Sequence, residues 1–307
     1  MNNLTDPEYI KQLFKQHGLR PRHYLGQNFL VDEEVLAEVV ETAALSKNDT
    51  VLEVGPGIGT LTVELAKRAK KVIAVEKDER MVEILHHTLS DLISPLGTRG
   101  EKGGLEAKRL NLTPPTPSYS KRGLPNAGDP ESSSGLREVK LINQDILRFN
   151  LEKEIKGPYK VVANIPYYLT SNLLRHFLTQ KNKPSLLVLM VQKEVGERIV
   201  APAGELSILG ISVQVFSDAE IAASVSKNSF WPKPKVDSVI LRIEPRIKYP
   251  QITDYGLFFR ILKIAFAGKR KQIKNTIRNQ EALQKAKINP TSRPQDLTIE
   301  QWVGLYK

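Results

Sequence analysis

Residues 51–61, VLEVGPGIGTL, constrain the fold of this chain more than any other stretch. An apolar run ends in three closely spaced glycines, Gly55, Gly57 and Gly59, and an apolar-periodic segment follows. This pattern predicts a buried strand, a tight turn and a helix. Glycine lets the turn adopt positive φ and lets a ligand lie on the backbone, while the helix N-terminus favours an anionic group. We infer a nucleotide-like cofactor, although glycine pairs also close ordinary turns.

Strands and helices alternate along much of the chain. Strands are predicted at residues 50–54, 71–76, 139–143, 160–163 and 185–192, and helices at residues 60–70, 79–92 and 171–178. This alternation predicts a doubly wound α/β domain with a parallel sheet, whose ligands bind at the carboxyl ends of the strands. The predicted strand ends, which we expect to line one crevice, are residues 53–59, Glu76, Asp145 and residues 164–167.

Residues 94–137 interrupt the alternation. These 44 residues contain seven glycines, six prolines and six serines, and they follow neither the helical nor the strand period. A segment of this composition buries too little apolar surface to offset the entropy of ordering, so we predict a disordered surface insertion. The alternative is an RNA-contacting loop that uses its basic residues Lys102, Lys108, Arg109, Lys121 and Arg122.

The pattern changes again near residues 245–252, where Pro245 and Pro250 mark a linker. Beyond the linker the apolar period is helical, as at residues 256–266, and residues 269–278 are interpreted as a basic helix. We therefore predict two domains, an α/β domain over residues 1–245 and a small helical domain over residues 253–307.

The basic charge is concentrated in the C-terminal part of the chain. The net charge is +11; residues 1–180 hold 24 Lys and Arg against 23 Asp and Glu, and residues 181–307 hold 21 against 11. Such a surface favours a polyanionic partner, nucleic acid first and an anionic membrane second, or serves solubility alone. The absence of cysteine excludes thiolate metal sites, and we expect a cytoplasmic protein because no long apolar run or signal-peptide pattern is present.

Two carboxylates at predicted strand ends suit a nucleotide. Glu76 lies 21 residues beyond Gly55, where a carboxylate can accept both hydroxyls of a ribose. Asp145 follows the third strand and suits the exocyclic amine of an adenine ring, or else it caps the helix that begins near Leu147. The spacing also occurs in dinucleotide enzymes, so the residues alone do not identify the cofactor.

The tetrapeptide NIPY, residues 164–167, suits a planar group that carries an amine. The Asn164 side-chain oxygen and a backbone carbonyl can both accept from an exocyclic NH2, Pro166 stiffens the backbone, and Tyr167 can stack on a ring. The alternative is a turn at a strand end whose tyrosine only packs. The position of NIPY beside the crevice favours the first interpretation.

The chain resembles the rRNA adenine-N6,N6-dimethyltransferases, and within them the bacterial small-subunit enzymes. The resemblance covers nearly the whole chain apart from residues 94–137 and is carried by ordered motifs. These are LGQNFL at residues 25–30, ExGPGxGxLT at residues 53–62, Glu76, Gln144-Asp145, NIPY, and FWPKPKVDSV at residues 230–239. The resemblance implies a Rossmann-like methyltransferase domain with a small α-helical C-terminal domain, and a lead-in, LGQNFL, that closes over cofactor and substrate.

The resemblance also assigns roles to individual residues. S-adenosylmethionine contacts are implied at Asn28, Leu30, Gly55, Gly57, Glu76, Asp145 and Asn164. Asn164 and the Ile165 carbonyl would hold the target amine, Tyr167 would stack on the target adenine, and Phe230 would face the same pocket or else belong to the core. Phosphate contacts are expected from Lys269, Arg270, Lys271 and Lys274.

The implied activity is methyl transfer to N6 of two adjacent adenines near the 3′ end of small-subunit (16S) rRNA, with a role in small-subunit biogenesis. The implied partners are that rRNA and the assembling subunit; we expect a monomer, without a metal ion or a membrane. Three other enzymes compete: a large-subunit rRNA adenine methyltransferase of the antibiotic-resistance type, a DNA adenine methyltransferase, which would carry D/N-PP-Y, and an NAD-dependent oxidoreductase, which leaves NIPY unexplained. A ribosome-assembly factor that acts by binding is the non-enzyme alternative.

Overall fold

The computed structural model describes residues 3–22, 25–93, 138–246, 252–268 and 270–307. The predicted disorder of residues 94–137 lies outside the described residues. The helices are α1 (Pro7–Gln16), α2 (Glu33–Thr42), α3 (Thr60–Arg68), α4 (Glu79–Ile93), α5 (Leu151–Glu154), α6 (Thr170–Thr179), α7 (Lys193–Val200), α8 (Ile208–Gln214), α9 (Tyr255–Phe266), α10 (Gln280–Lys285) and α11 (Ile299–Tyr306). The strands are β1 (Phe29–Leu30), β2 (Thr50–Val54), β3 (Lys71–Glu76), β4 (Glu138–Asn143), β5 (Lys160–Asn164), β6 (Leu186–Gln192), β7 (Ser217–Val225), β8 (Phe230–Trp231) and β9 (Ser238–Pro245).

The chain divides into two compact units. The first consists of Met1–Asn164 and Ser229–Lys233, and the second of Ile165–Asn228 and Pro234–Lys307. The predicted linker at residues 245–252 falls within the second unit, and residues 247–251 lie outside the described residues. The assignment of residues 1–245 and 253–307 to separate domains stays a prediction.

Four parallel strands form the centre of the first unit, in the order β4-β3-β2-β5. Val51 of β2 lies opposite Val72 of β3 and Lys160 of β5. The apolar runs of β2 and β3 are buried almost throughout, as parallel strands covered on both faces require. The predicted strands 50–54 and 71–76 have the bounds observed for β2 and β3. Because the strands are parallel, their carboxyl ends meet at one edge.

The strands of the second unit, β6, β7 and β9, pair antiparallel, so the predicted parallel sheet does not extend to β7 and β9. β9 pairs with both β6 and β7, with Gln192 opposite Ser238 and Ser217 opposite Pro245. The sequence predicts β6 but misses β7 and β9. β7 lies at the outer side of this arrangement and is rich in alanine and serine, which give little strand signal.

The C-terminal part of the second unit is helical, as the sequence predicts. Trp302 of α11 is fully buried and stacks on Phe266 of α9, with ring centroids 5.6 Å apart. Phe258 on the same face of α9 is also buried. These large apolar side chains give α9 and α11 a shared core.

The prediction of a basic helix at residues 269–278 is wrong. Lys269 lies outside the described residues, and residues 270–278 contain only a 3-10 turn, Ile273–Asn275. The backbone N–H groups of Ile273 and Lys274 donate to the carbonyls of Ser292 and Pro290. The turn is therefore held by a distant loop instead of by a helical hydrogen-bond ladder.

Candidate cofactor and substrate site

The glycine loop between β2 and α3 has the backbone conformation that its sequence predicts. Gly55, Gly57 and Gly59 have φ of 69°, 58° and 95°, a region that favours glycine. A Cβ on Gly59 would lie 2.5 Å from Leu85 Cδ1, and a Cβ on Gly57 would lie 3.1 Å from the Phe29 ring. Gly59 is the N-cap of α3 and supplies no side-chain hydrogen bond to it. The loop therefore forms a narrow backbone cradle at the start of a helix.

Glu76 at the end of β3 holds its carboxylate against this loop. One oxygen, Oε2, accepts from the Gly57 N–H at 3.3 Å, and the other, Oε1, accepts from the Asp78 N–H at 2.8 Å. Burial raises the pKa of Glu76, and these backbone N–H groups oppose the rise. The predicted adjacency of the glycine loop and Glu76 is thus observed.

Asp145, which follows β4, is brought to the same edge. The N–H of Gln144 donates to the Glu76 carbonyl at 2.9 Å. Asp145 Oδ1 accepts from the Leu147 N–H, and Oδ2 accepts from Lys77 Nζ at 2.9 Å. This lysine is the main reason that the pKa of Asp145 is lowered. The capping role that the sequence left open is present. Oδ2 is bound to the exposed Lys77, and a ligand amine would take the place of this lysine.

The lead-in LGQNFL is tied to the end of β3 by a side-chain network that the sequence does not reveal. Gln27 accepts from the Arg22 N–H at 2.8 Å and donates to Asp78 Oδ2 at 2.9 Å. Asp78 also accepts from the guanidinium of Arg80. Gln27 therefore links the backbone before LGQNFL to the turn that follows Glu76.

The lead-in also pairs with the FWPKPKVDSV motif. β1 and β8 are antiparallel, with Phe29 opposite Trp231 and Leu30 opposite Phe230. Ser229 Oγ donates to Asp32 Oδ2 at 2.7 Å. Phe230 is only 4% exposed. Strands of two residues are too short for any period, so sequence patterns alone do not predict this pairing.

Asn164 at the end of β5 contacts the lead-in directly. Its Nδ2 donates to the carbonyl of Asn28 at 3.1 Å. The donor end of the amide is thus engaged and Oδ1 is left to accept a hydrogen bond. Ile165, the next residue, is buried, and its N–H donates to the Met190 carbonyl at 3.3 Å. The peptide that joins the two predicted acceptors is therefore fixed at both ends.

Tyr167 lies in a 3-10 turn, Tyr167–Leu169, that leads into α6. Its hydroxyl shares a hydrogen bond of 2.9 Å with Ser238 Oγ at the start of β9. Burial raises the pKa of Tyr167. The ring is thus held by its hydroxyl, while the next residue, Tyr168, is exposed.

Glu53 is a buried titratable group whose environment the sequence does not predict. It is 1% exposed, and burial raises its pKa to about 8, with the Glu76 carboxylate adding to the rise. Among the described residues, Glu53 Oε2 and the hydroxyls of Thr62 and Thr88 have no hydrogen-bond partner. Glu53 is therefore largely protonated at neutral pH, behind the glycine loop.

The predicted phosphate-binding residues are exposed where the structure describes them. Arg270, Lys271 and Lys274 all lie at the surface and form no ion pair with any described residue. In the described ranges no cluster of three or more His, Cys, Asp or Glu residues is arranged to bind a metal ion. None of the helices described is both long and apolar enough to cross a membrane.

A glycine loop that opens a helix, with carboxylates at the ends of the next two parallel strands, is the arrangement of a Rossmann-like nucleotide-binding site, and comparison with known proteins identifies this one as a methyltransferase. The family model for ribosomal RNA adenine dimethylases matches residues 18–97 and 131–307. The chain belongs to this family. The match omits residues 98–130, which lie within the predicted insertion, and the resemblance inferred from the motifs is confirmed.

A curated relative agrees with this assignment, and two solved structures share the fold. The chain is 31% identical to the ribosomal RNA small subunit methyltransferase A of Alkaliphilus metalliredigens, over 100% of this chain and 98% of the relative. A dimethyladenosine transferase from Plasmodium falciparum has a TM-score of 0.63 at 24% identity and covers 90% of this chain and 95% of its own. The 23S rRNA methyltransferase ErmE has a TM-score of 0.61 at 24% identity, over 91% and 98%. The predicted fold class and the predicted enzyme class, a methyltransferase that uses a methyl donor, are confirmed.

Proposed function

We propose that this chain transfers methyl groups from S-adenosylmethionine to N6 of two adjacent adenines near the 3′ end of 16S rRNA, giving N6,N6-dimethyladenosine during small-subunit biogenesis. Its family and the name of its curated relative support this substrate. The observation that carries the proposal is the hydrogen bond from Asn164 Nδ2 to the Asn28 carbonyl, because it leaves Asn164 Oδ1 to accept from an amine.

The described residues fit S-adenosylmethionine. Leu85 packs against Gly59 and the Phe29 ring packs against Gly57, so neither position accepts a side chain and the loop keeps bare backbone at the start of α3. The Glu76 carboxylate beside Gly57 suits the hydroxyls of a ribose, and Asp145 Oδ2 suits the amine of an adenine ring. The remaining proposed contacts are Asn28, Leu30, Gly55 and Asn164. Bound there, the cofactor supplies an electrophilic methyl group on a sulfonium sulfur.

Asn164 and Ile165 provide the chemistry that the target amine needs. Adenine N6 is a poor nucleophile because its lone pair is delocalised into the ring. Acceptance of both N–H bonds, by Asn164 Oδ1 and by the Ile165 carbonyl, holds the amine pyramidal and localises the lone pair. The amine becomes acidic only as the new C–N bond forms, so no base of raised pKa is required. Orientation and electrostatics of this kind contribute several kcal/mol.

The aromatic residues of the proposed site hold the target base. Tyr167, anchored through Ser238, stacks on an adenine that has left its own stack. Phe230 contributes an apolar wall, consistent with its low exposure and its pairing with Leu30. The pocket must also admit the mono-methylated amine, since a second methyl group follows the first.

The basic C-terminal part supplies the affinity for rRNA. Arg270, Lys271 and Lys274 are exposed and contact phosphates in this proposal; Lys269 is included, although it lies outside the described residues. The chain acts as a monomer on the assembling small subunit, in the cytoplasm and away from membranes. A net charge of +11 accords with a polyanionic partner.

Transfer of labelled methyl groups from S-adenosylmethionine tests the proposal. The acceptors are small-subunit particles that lack the modification and, in parallel, large-subunit RNA. Label in the small-subunit rRNA is expected. Label only in the large-subunit RNA would assign the chain to the resistance-type enzymes. Binding of S-adenosylmethionine without methyl transfer to either RNA would favour the alternative of a ribosome-assembly factor that acts by binding.

A further inference from the structure

Tyr168 is an exposed aromatic residue directly beside the residues assigned to the target base. Its side chain is 56% exposed, in the 3-10 turn Tyr167–Leu169. Successive residues of a 3-10 turn point about 120° apart, so the rings of Tyr167 and Tyr168 diverge. Tyr167 is held through its hydroxyl by Ser238, whereas the side chain of Tyr168 has no ring contact or hydrogen bond with any described residue.

Three lysines, Lys193, Lys227 and Lys235, lie in the segments that meet beside Ser238, the partner of Tyr167. The backbone N–H groups of Lys193 and Lys227 both donate to Asp237, the residue before Ser238. One of these bonds, from Lys227, occupies an oxygen of the Asp237 carboxylate. The side chains of Lys227 and Lys235 form no ion pair with described residues, and Lys193 is exposed beside Glu197. The side chains of Lys227 and Lys235 thus remain available to phosphates, and Lys193 has only an exposed ion pair with Glu197 to exchange.

Apolar surface accompanies this charge. Val236, next to Lys235, is 44% exposed. An exposed ring and an exposed aliphatic side chain among lysines are typical of sites that bind single-stranded nucleic acid, where bases stack on aromatic rings and cations follow the backbone. The flat ring of Tyr168 matches the face of a base.

We propose that Tyr168 stacks on the base of the nucleotide adjacent to the target adenine. The inference rests on the proposed function and assigns a second aromatic contact to the same substrate. Tyr167 takes the target base and Tyr168 holds its neighbour, while Lys193, Lys227 and Lys235 bind the phosphates of that neighbour. Because the two target adenines are adjacent, each is the neighbour of the other, and Tyr168 favours a purine in this position.

Two substitutions distinguish the contribution of the aromatic ring of Tyr168 from that of its apolar volume. Tyr168→Phe keeps the ring, and Tyr168→Leu keeps a similar apolar volume without it. The substrate is a small-subunit particle whose rRNA carries a ligated synthetic 3′ fragment, either intact or with an abasic site next to one target adenine. Methyl transfer is measured as kcat and as KM for the particle.

The expected result is a change in KM and not in kcat. Tyr168→Leu raises KM for the intact particle about tenfold, within the range found for the loss of one base–aromatic stack. Tyr168→Phe restores the wild-type KM. The abasic neighbour raises KM for the wild type by a similar factor and has no further effect on Tyr168→Leu, because each change removes the same contact.

Two results would overturn this role. A KM for Tyr168→Leu equal to that of the wild type shows that the ring contacts no base. Independent, multiplying effects of Tyr168→Leu and of the abasic site show that Tyr168 contacts another part of the particle. In both cases the wild-type chain still transfers methyl groups, so the proposed function stands. Absence of transfer by the wild type itself overturns the proposed function and this inference together.

Discussion

The side-chain amide of Asn164 donates to the backbone carbonyl of Asn28, at 3.1 Å, across 136 positions of sequence. The bond joins the end of β5 to the lead-in LGQNFL and fixes which end of the Asn164 amide remains free. A carbonyl oxygen without a donor, next to the peptide of Ile165, is the acceptor that an exocyclic amine requires. The orientation of Asn164 is thus set by the backbone of the lead-in and not by its side chains.

Replacement of Asn164 is expected to impair the chemical step much more than cofactor binding. Asn164→Ala removes an acceptor that acts on the developing charge of the amine, so kcat falls about 10²–10³-fold, the usual cost of one preorganised hydrogen-bonding group. The dissociation constant of S-adenosylmethionine changes by less than about tenfold, or 1.4 kcal/mol. Single-turnover kinetics and equilibrium dialysis measure the two quantities separately.

Asn28→Ala is the matched control for that variant. It keeps the backbone carbonyl that accepts from Asn164 and removes a side chain that donates to the Gly26 carbonyl. Because Asn28 is also a proposed cofactor contact, the two variants are compared at saturating S-adenosylmethionine. A rate for Asn28→Ala well above that of Asn164→Ala is expected. A near-normal rate in Asn164→Ala would contradict the assigned role of its amide oxygen.

Gly59→Ala is expected to destabilise the protein more than Gly157→Ala, because the space beside Gly59 is narrow and the space beside Gly157 is open. Gly59 and Gly157 have φ of 95° and 96°, but an added Cβ meets Leu85 Cδ1 at 2.5 Å in one case and nothing within 4 Å in the other. Both alanine substitutions bear a similar backbone cost, and overpacking adds about 1–3 kcal/mol to Gly59→Ala only. Denaturant unfolding of both variants measures the difference, and equal losses would show that the loop yields to the methyl group.

Glu53 is expected to make the stability of the chain depend on pH. Its pKa is about 8 in the folded protein, against 4.5 for an ordinary glutamate. Between these values the folded state keeps a proton that the unfolded state releases, so the free energy of unfolding falls as pH rises. Glu53→Gln cannot ionise at this position. The free energy of unfolding of Glu53→Gln minus that of wild type is therefore expected to be larger at pH 8 than at pH 5, by on the order of a few kcal/mol.

Urea denaturation of wild type and Glu53→Gln at several pH values between 5 and 8.5 measures this effect. The difference between the two curves should grow with pH and level off above about 8. A difference that is constant with pH would mean that Glu53 titrates near its ordinary pKa despite its burial.

The exposed basic residues at 270–274 are expected to account for part of the salt dependence of RNA binding. Neutralising Arg270, Lys271 and Lys274 with glutamine removes up to three phosphate contacts. Each lost contact reduces the slope of log affinity against log salt by about 0.7–0.9. The measurement is binding of small-subunit rRNA over a series of salt concentrations.

A control variant that also loses three positive charges, but in the first unit, tests for a general effect of charge. It replaces the exposed lysines Lys11, Lys67 and Lys70 with glutamine. Equal changes of slope in the two triple variants would show that residues 270–274 act only through net charge.

The first unit could be predicted from sequence because its signals are local. β2 and β3 are continuous apolar runs with a glycine loop or a carboxylate at the end, and their predicted bounds match those observed. Once the strands are parallel, geometry brings Gly57 and Glu76 together without further information.

The remaining features depend on contacts between distant residues. The two-residue strands β1 and β8 exist because Leu30 and Phe230 meet across 200 positions, and neither strand has a period of its own. The segment after Lys269 has helix-compatible residues, but bonds to Ser292 and Pro290 hold it as a turn. A glutamate in a sequence indicates an ionised side chain at neutral pH. The high pKa of Glu53 arises from its burial by residues that are distant in the sequence, which the sequence does not reveal.

The most direct measurement is nucleoside analysis of small-subunit rRNA after incubation of an unmodified particle with wild-type protein and S-adenosylmethionine. N6,N6-dimethyladenosine at two adjacent adenines near the 3′ end is the predicted product, and Asn164→Ala should yield little of it over the same time. An rRNA that remains free of methylated adenine, under conditions in which the protein binds both the cofactor and the particle, would contradict the proposed activity.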